Sequence, residues 1–176
     1  MTEPELSYAD WPKLHTPIAD WDGIYAQGAW FDWPAEVPHH AIIAGFAARL
    51  VGRGALLDAG CGDGGLIEYL DPSRFAYFGF DSSAVAIERA RQRPGKPNVS
   101  HRGFDEFQPA SDRKFDVIVF NESLQFAADP FAVIDRFRSF RSANGIIIAS
   151  LFQEGRASQR HIARPPVGTG MRNGQI

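Results

Sequence analysis

The sequence has little cysteine, no long apolar run and no excess of basic residues, and each absence excludes a class of protein. The single Cys61 excludes an intrachain disulfide and is compatible with a reducing cytosol. No stretch approaches the roughly 20 apolar residues of a membrane-spanning helix, and the acidic start MTEPELSYAD lacks the apolar core of a signal peptide. The net charge of −3 favours no nucleic-acid partner, which would favour a basic face. These features predict a soluble, cytoplasmic protein.

Clustered metal ligands are also lacking. His39 and His40 are neighbours at the start of a predicted helix, where adjacent side chains point in different directions. No other Cys/His set has metal-ligand spacing, so no metal site is predicted. With 176 residues, 44% of them hydrophobic and 22% charged, the chain is expected to form one globular domain with a sizeable core.

Glycine, in contrast, is concentrated at one place, the segment 55–65 with the sequence ALLDAGCGDGG. The apolar residues before the glycines predict a buried parallel strand, and the apolar residues after them predict a helix. A strand that leads through glycines into a helix presents free backbone N–H groups and a positive dipole end. The segment therefore predicts a ligand site.

The glycines fit the patterns of two different ligands. Gly60, Gly62 and Gly65 spell the G-x-G-x-x-G of dinucleotide folds. Gly60, Gly62 and Gly64 also spell G-x-G-x-G, preceded by the acid Asp58. A carboxylate just before the loop suits a ligand with a cationic group there and would repel a pyrophosphate. The acid favours the second pattern, although a tight turn that binds nothing stays open.

The stretch LLDAGCGDG resembles motif I of the class I S-adenosylmethionine-dependent methyltransferases, and the resemblance continues in order from Leu56 to about Leu151. In that family the loop wraps the methionine part of the cofactor, and the first acid helps to position it. The resemblance implies S-adenosylmethionine as cofactor, S-adenosylhomocysteine as product and a binding loop made of Asp58, Gly60, Cys61 and Gly62.

A second acid, Asp81, ends the predicted second strand roughly 20 residues after Gly60, where a carboxylate can accept both ribose hydroxyls of a nucleotide. This spacing supports an adenosine-containing ligand without naming one. The surrounding YFGFDSS resembles the second-strand motif of the same methyltransferases. The resemblance adds Asp81 and Ser82 to the cofactor site.

The stretch GFDEFQP after the predicted third strand lies where family members commonly carry an acid that binds the adenine amino group. Asp105 is the nearest acid, although an alignment on Pro109 places Gly103 or Phe104 at that position. The resemblance therefore gives Asp105 as the adenine ligand and Phe104 as a wall for the adenine ring.

The stretch NESLQF, which follows a predicted fourth strand (FDVIVF), resembles the small-molecule branch of the family, including N-methyltransferases of the nodulation type. The resemblance implies that Asn121 and Glu122 line the methyl-transfer site, with Asn121 near the cofactor. Without the resemblance, Glu122 is equally an acid that complements a helix dipole. Glu122, His40 and Tyr25 are the candidate bases for an O–H or N–H acceptor.

The two ends of the chain depart most from the family. Residues 1–35 are rich in Trp and predict an aromatic arm, either a lid over the site or a cover for apolar surface. Residues 36–152 form the predicted cofactor-binding domain, and residues 153–176 predict a mobile tail. The two further strands with which the family usually ends are missing from the pattern. A protein partner or a second copy is therefore predicted to cover the edge beside the fifth strand.

Strands that alternate with helices predict a Rossmann-like α/β fold, a doubly wound and mostly parallel sheet with helices on both faces. The function that the resemblance implies is methyl transfer to an O or N of a small-molecule substrate. Two alternatives stay open: a catalytically inactive protein that binds an adenosyl ligand, and an NAD-dependent oxidoreductase. The latter explains Gly65, but no Tyr-x-x-x-Lys pair accompanies it.

Overall fold

The computed structural model describes residues 20–26, 36–95 and 97–151. The helices are α1 (Trp21–Ala26), α2 (Glu36–Leu50), α3 (Ala84–Gln92) and α4 (Pro130–Arg138). The strands are β1 (Gly54–Ala59), β2 (Phe75–Asp81), β3 (Asn98–His101), β4 (Phe115–Asn121) and β5 (Arg141–Ser150). Single turns of 3-10 helix cover Gly65–Tyr69, Ala110–Asp112 and Leu124–Phe126.

The five strands form one sheet in the order β3-β2-β1-β4-β5, and every pairing is parallel. The strand order reverses between β1 and β4, and ligands of open α/β sheets bind beside such a switch point. Ala59, Asp81 and Asn121 end β1, β2 and β4 at the same edge of the sheet. The predicted Rossmann-like, doubly wound fold is confirmed.

Helices cover both faces of this sheet. On one face, α2 packs on β1 through a cluster that includes Ile43, Ala47 and Leu56. On the other face, α4 packs through the ring of Phe137, which stacks with Phe80 and Phe107. The rings of Phe80 and Phe107 are themselves stacked, with 4.3 Å between their centroids. Both faces of the central strands are buried, so β1 and β4 read as continuous apolar runs and not as alternating patterns.

The sequence of α2 predicts one apolar stripe, made of Ile42, Ile43, Phe46, Ala47 and Leu50. The structure instead divides these residues between a buried face and an exposed one. Among the side chains described from Pro38 to Leu50, Ile43 is the one large apolar residue that is buried. Ala44 and Ala47 are buried with it, and their small side chains let the helix lie close to the sheet. A second stripe on the flank of the helix stays more than half exposed. It consists of Ile42 (55%), Phe46 (52%) and Leu50 (61%), which lie one turn apart.

Two elements differ in length or type from their prediction. The segment after the glycine loop forms one 3-10 turn, Gly65–Tyr69, and not an α-helix, because Pro72 disfavours helical backbone at Asp71 and leaves little room. The sequence predicts a turn at Asn144-Gly145 and a fifth strand from Ile146 to Ser150. In the structure, β5 begins at Arg141 and includes Asn144-Gly145, where a shift in its register with β4 replaces the turn.

The predicted division into an arm, a domain and a tail stays a prediction. The structure describes residues 20–26 of the arm, and the predicted tail 153–176 lies outside the described residues. Within the described chain, the sheet ends at β5, whose outer edge has no strand beside it. None of the described helices is long and apolar enough to cross a membrane.

Candidate functional site

The glycine loop closes directly over the carboxyl end of β1. The backbone N–H groups of Gly60 and Cys61 both donate to the Phe80 carbonyl, at 2.9 Å each. Gly60 has φ of 76°, and a Cβ there would lie 2.5 Å from Cβ of Ser123, which follows β4. Glycine is therefore required at this position by both backbone conformation and close packing.

Asp58, the acid before the loop, is a buried carboxyl group with only one of its two oxygens bonded. Its Oδ2 accepts a hydrogen bond of 2.8 Å from the Tyr77 hydroxyl, and the side chain is 3% exposed. Its Oδ1 is buried and has no hydrogen-bond partner among the described residues. Burial raises the pKa of Asp58 to about 7, and the charge of Asp81 adds to the increase. A cation beside Oδ1 would stabilise the ionised form.

Asp81 joins the end of β2 to the glycine loop. Its Oδ2 accepts from the Gly62 N–H at 2.9 Å, and its Oδ1 accepts from the Ser83 N–H at 2.8 Å. The residue is 8% exposed, and burial raises its pKa above the ordinary value. A carboxylate oxygen has two lone pairs, so each can still accept one hydroxyl group. Ser82 is exposed beside it, and its carbonyl lies 2.8 Å from His101 Nε2.

Cys61 lies buried beneath the loop, with its Sγ 3.6 Å from the Gly62 carbonyl. Burial and the nearby carboxyl groups of Asp58 and Asp81 raise the pKa of its thiol. The sulfur therefore stays a neutral packing group.

Phe104 lies on the opposite side of the loop, in the segment after β3. Its ring meets Phe80 edge to face at 5.9 Å between centroids, and it lies 3.7 Å from the position of a Gly60 Cβ. Arg136 of α4 donates to the Phe104 and Phe107 carbonyls and so fixes this segment. Asp105 is exposed. The structure thus brings Phe104, more than Asp105, to the loop.

The residues after β4 combine a strained backbone with a close contact between Glu122 and His39. Asn121 Oδ1 accepts from the Ser150 hydroxyl at 2.7 Å, and the Glu122 N–H donates to the Ser150 carbonyl at 3.1 Å. Glu122 has φ of 51°, which is uncommon for a non-glycine residue and recurs at functional sites. Its carboxylate lies 2.7 Å from His39 Nδ1, an ion-pair contact without aligned hydrogen-bond geometry.

The three candidate bases occupy different parts of the site. Glu122 pairs with His39, a residue absent from the predicted set. His40 instead lies next to Gly65, 2.9 Å from the position of a Cβ there, and packs against Tyr69. Tyr25 is buried, and its hydroxyl lies 2.6 Å from the position of a Gly62 Cβ. Tyr25 thus reaches the glycine loop, Glu122 the end of β4, and His40 the start of the 3-10 turn.

Helix α1 is fastened across the carboxyl ends of the strands. Asp22 Oδ1 accepts from the Ser83 hydroxyl at 2.6 Å and from the Val85 N–H at 3.1 Å. Trp21 packs edge to face on Phe126 at 4.8 Å between centroids. The described part of the aromatic arm therefore bridges the β2 and β4 sides of the site.

In the described segments, His, Cys, Asp and Glu side chains nowhere gather in threes that could hold an ion.

A family model described as a methyltransferase domain matches residues 30–164, about three quarters of the chain. The chain therefore belongs to this methyltransferase family, as its motifs indicated. Curated protein sequences give no match.

Three similar solved structures show the same fold. The plantazolicin methyltransferase BpumL, in complex with a pentazolic desmethylPZN analog and SAH, is 19% identical with a TM-score of 0.62 over 81% of this chain and 56% of its own. The N-methyltransferase NodS from Bradyrhizobium japonicum WM9, with S-adenosyl-L-homocysteine, is 22% identical with a TM-score of 0.59 over 81% and 71%.

The third is a methyltransferase in complex with the Haloferax volcanii Trm112 activator, 21% identical with a TM-score of 0.62 over 77% of this chain and 62% of its own. The chain spans little more than half the length of BpumL.

Proposed function

We propose that this protein transfers a methyl group from S-adenosylmethionine to an O or N atom of a small-molecule acceptor. The observation that carries the proposal is the pair of buried carboxyl groups around one glycine loop. Asp58 has an unbonded oxygen that suits a cationic group, and Asp81 has lone pairs that suit two hydroxyls. A ligand with an ammonium group at one end and a ribose at the other satisfies both.

The residues present fit this cofactor well. Asp58 would hold the ammonium group, Asp81 with Ser82 the ribose, and Phe104 a face of the adenine ring. Gly60, Cys61 and Gly62 would lie against the ligand through their backbone, while Asn121 and Asp105 complete the predicted set. The bound cofactor supplies an electrophilic sulfonium methyl group. BpumL and NodS were both crystallised with S-adenosylhomocysteine, which supports the proposal.

The chain's main contribution would be to align the acceptor with the methyl group, an effect worth up to roughly 7–11 kcal/mol in well-oriented systems. Glu122 at the end of β4 would take the acceptor proton, a step typically worth about 10²–10⁴-fold in rate. His39 stands 2.7 Å from its carboxylate and would share the charge. Tyr25 and α1 would keep water away from the reacting atoms, and His40 is a further candidate base.

Two other functions are less well supported. An inactive protein that binds an adenosyl ligand would use the same loop but would not need the strained backbone of Glu122. An NAD-dependent oxidoreductase would place a pyrophosphate at the loop, where the carboxylate of Asp58 just before the glycines would repel it.

Glu122→Gln tests the proposed reaction. The enzyme is given S-adenosylmethionine and a panel of small amines, phenols and hydroxy acids, and the rate of S-adenosylhomocysteine formation is measured. With the best acceptor we expect this rate to fall about 100-fold in the variant, because Gln cannot take a proton. Cofactor affinity should stay unchanged. Asp135→Asn on exposed α4 is the matched control and should retain full activity. Tight S-adenosylhomocysteine binding without turnover of any acceptor would instead favour the inactive binder.

The proposed surroundings of this activity are the cytoplasm and a small-molecule substrate, without nucleic acid or membrane. We further propose that a protein partner or a second copy covers the outer edge of β5. Between Ser142 and Leu151 this edge strand has neither charge nor proline, the usual protection of an exposed edge. Sedimentation of the purified chain separates a dimer from a monomer that needs another partner.

A further inference from the structure

The side chain of Tyr77 reaches Asp58 through the space that Gly79 leaves by having no side chain. Tyr77 lies beside Leu56 in the β1–β2 register, and its side chain extends toward the carboxyl end of the sheet to reach Asp58 Oδ2. Gly79 lies directly beside Asp58 in that register. A Cβ on Gly79 would lie 3.1 Å from the Tyr77 hydroxyl oxygen and 2.9 Å from Cys61 Sγ. The glycine therefore makes room for the Tyr–Asp contact.

The contact leaves Asp58 with one fixed oxygen and one free oxygen. The hydrogen bond holds Oδ2, so Oδ1 is the oxygen that has no described partner. The carboxyl is 3% exposed, so water offers it little compensation. A free oxygen on a buried and oriented carboxyl group is suited to a cationic ligand.

The groups around Asp58 favour its protonated form. Asp81 and Cys61 are the titratable groups at its carboxyl-end side, and Tyr77 faces it from β2. Val119 of β4 lies beside it in the sheet, and the buried face of α2 adds Ile43 and other apolar side chains. Burial raises the pKa of Asp58 to about 7, whereas the Tyr77 hydrogen bond acts in the opposite direction.

We propose that Tyr77 is a positioning residue that directs the free oxygen of Asp58 toward the ammonium group of the ligand, and that ammonium binding releases the proton from Asp58. This inference rests on the proposed function, because S-adenosylmethionine and S-adenosylhomocysteine both carry that ammonium group. Protonated Asp58 and the ammonium ligand give a carboxylate–ammonium pair and one proton, which passes to the solvent. Tyr77 remains the donor to Oδ2 throughout.

Calorimetry from pH 5.5 to 8, in two buffers of different ionisation enthalpy, measures both the affinity and the proton released. Below about pH 7, we expect S-adenosylhomocysteine to bind roughly tenfold more weakly for each unit of pH, because Asp58 must lose a proton. 5′-Methylthioadenosine keeps the adenosine and the sulfur but has no ammonium group. Its affinity should stay constant, so it reports separately on Asp81 and the ribose site.

Tyr77→Phe removes only the hydroxyl group. We expect S-adenosylhomocysteine affinity at pH 7 to fall about tenfold, the pH midpoint to move upward and 5′-methylthioadenosine affinity to stay unchanged. Tyr69→Phe is the matched control, since Tyr69 is an exposed tyrosine that packs on His40, and it should match wild type. Equal losses for both ligands in Tyr77→Phe would show a general structural role and overturn the proposal.

Asp58→Asn provides an independent test should Tyr77→Phe fail to fold. We expect it to abolish both the pH dependence and the proton release. In the wild type, S-adenosylhomocysteine affinity that is independent of pH would overturn the inference and leave the proposed function intact. Absence of binding by both ligands at every pH would instead contradict the proposed function itself.

Discussion

Asp81 has two structural partners as well as its proposed ligand. It accepts the N–H groups of Gly62 and Ser83 and thereby ties the glycine loop to the start of α3. The sequence predicts its place at the end of β2, because strand, acid and glycine spacing agree. It could not predict these two backbone bonds, since they depend on how the loop folds back over the sheet.

Asp81→Ala should weaken S-adenosylhomocysteine binding by roughly 1.5–3 kcal/mol, the range for hydrogen bonds to a charged group. The domain should stay folded, because the residue lies at a strand end where water can reach the two freed N–H groups. Titration calorimetry measures the affinity, and a thermal melt checks the fold. Asp135→Ala, an exposed substitution on α4, controls for loss of one charge. Unchanged binding by Asp81→Ala would make Asp81 a purely structural acid.

The surroundings of the proposed base Glu122 were less predictable than those of the glycine loop. Glu122 was named from its motif, but its positive φ and its contact with His39 depend on the path of the chain after β4. Two adjacent histidines at a helix start give no sign of which one faces β4. In the structure His39 faces the end of β4, whereas His40 lies beside Gly65. Long-range pairs of this kind depend on the docking angle of α2, which periodicity does not fix.

At the scale of elements, α1 is a short helix that depends on its contacts with the domain. The aromatic density of the arm predicted that it packs on the domain, and the described part lies at the carboxyl ends of the strands. The Ser83 hydroxyl, as the largest influence, holds the pKa of Asp22 below its ordinary value, so this carboxylate stays ionised as an acceptor. Six residues cannot form a stable helix alone, so docking through Asp22 and Tyr25 keeps α1 in place.

Asp22→Ala should loosen α1 because the Ser83 hydroxyl and the Val85 N–H lose their acceptor. Hydrogen exchange followed by mass spectrometry should show faster exchange over residues 20–26, with α4 unchanged as an internal control. S-adenosylhomocysteine should slow exchange at α1 in the wild type and less so in the variant. If neither the substitution nor the ligand changes the exchange rate over residues 20–26, the proposal that α1 covers the site is contradicted.

The hydrophobicity pattern of α2 does not predict which of its apolar residues are buried. The spacing of its apolar residues predicts one stripe, yet the structure buries Ile43 and leaves Ile42, Phe46 and Leu50 exposed. The helix approaches the sheet through Ala44 and Ala47, which a hydrophobicity pattern ranks below the larger side chains.

For the whole molecule, the sheet topology follows from the order of elements. Alternating strands and helices with right-handed crossovers leave few arrangements, and the reversal between β1 and β4 creates the site. The fold could therefore be predicted from the sequence, and the motifs that carry the proposed cofactor residues are local in sequence. The proposed acceptor residues lie on α1, α2 and the segment after β4, which meet only in the folded chain.

The central claim is that the glycine loop with Asp58 and Asp81 binds an adenosyl ligand with an ammonium group and not a dinucleotide. Titration calorimetry of the purified protein at pH 8 against S-adenosylhomocysteine and NAD tests it most directly. We predict clear binding of S-adenosylhomocysteine and no measurable binding of NAD, because the Asp58 carboxylate just before the loop repels a pyrophosphate. Tight binding of NAD with no measurable affinity for S-adenosylhomocysteine or S-adenosylmethionine would contradict the account.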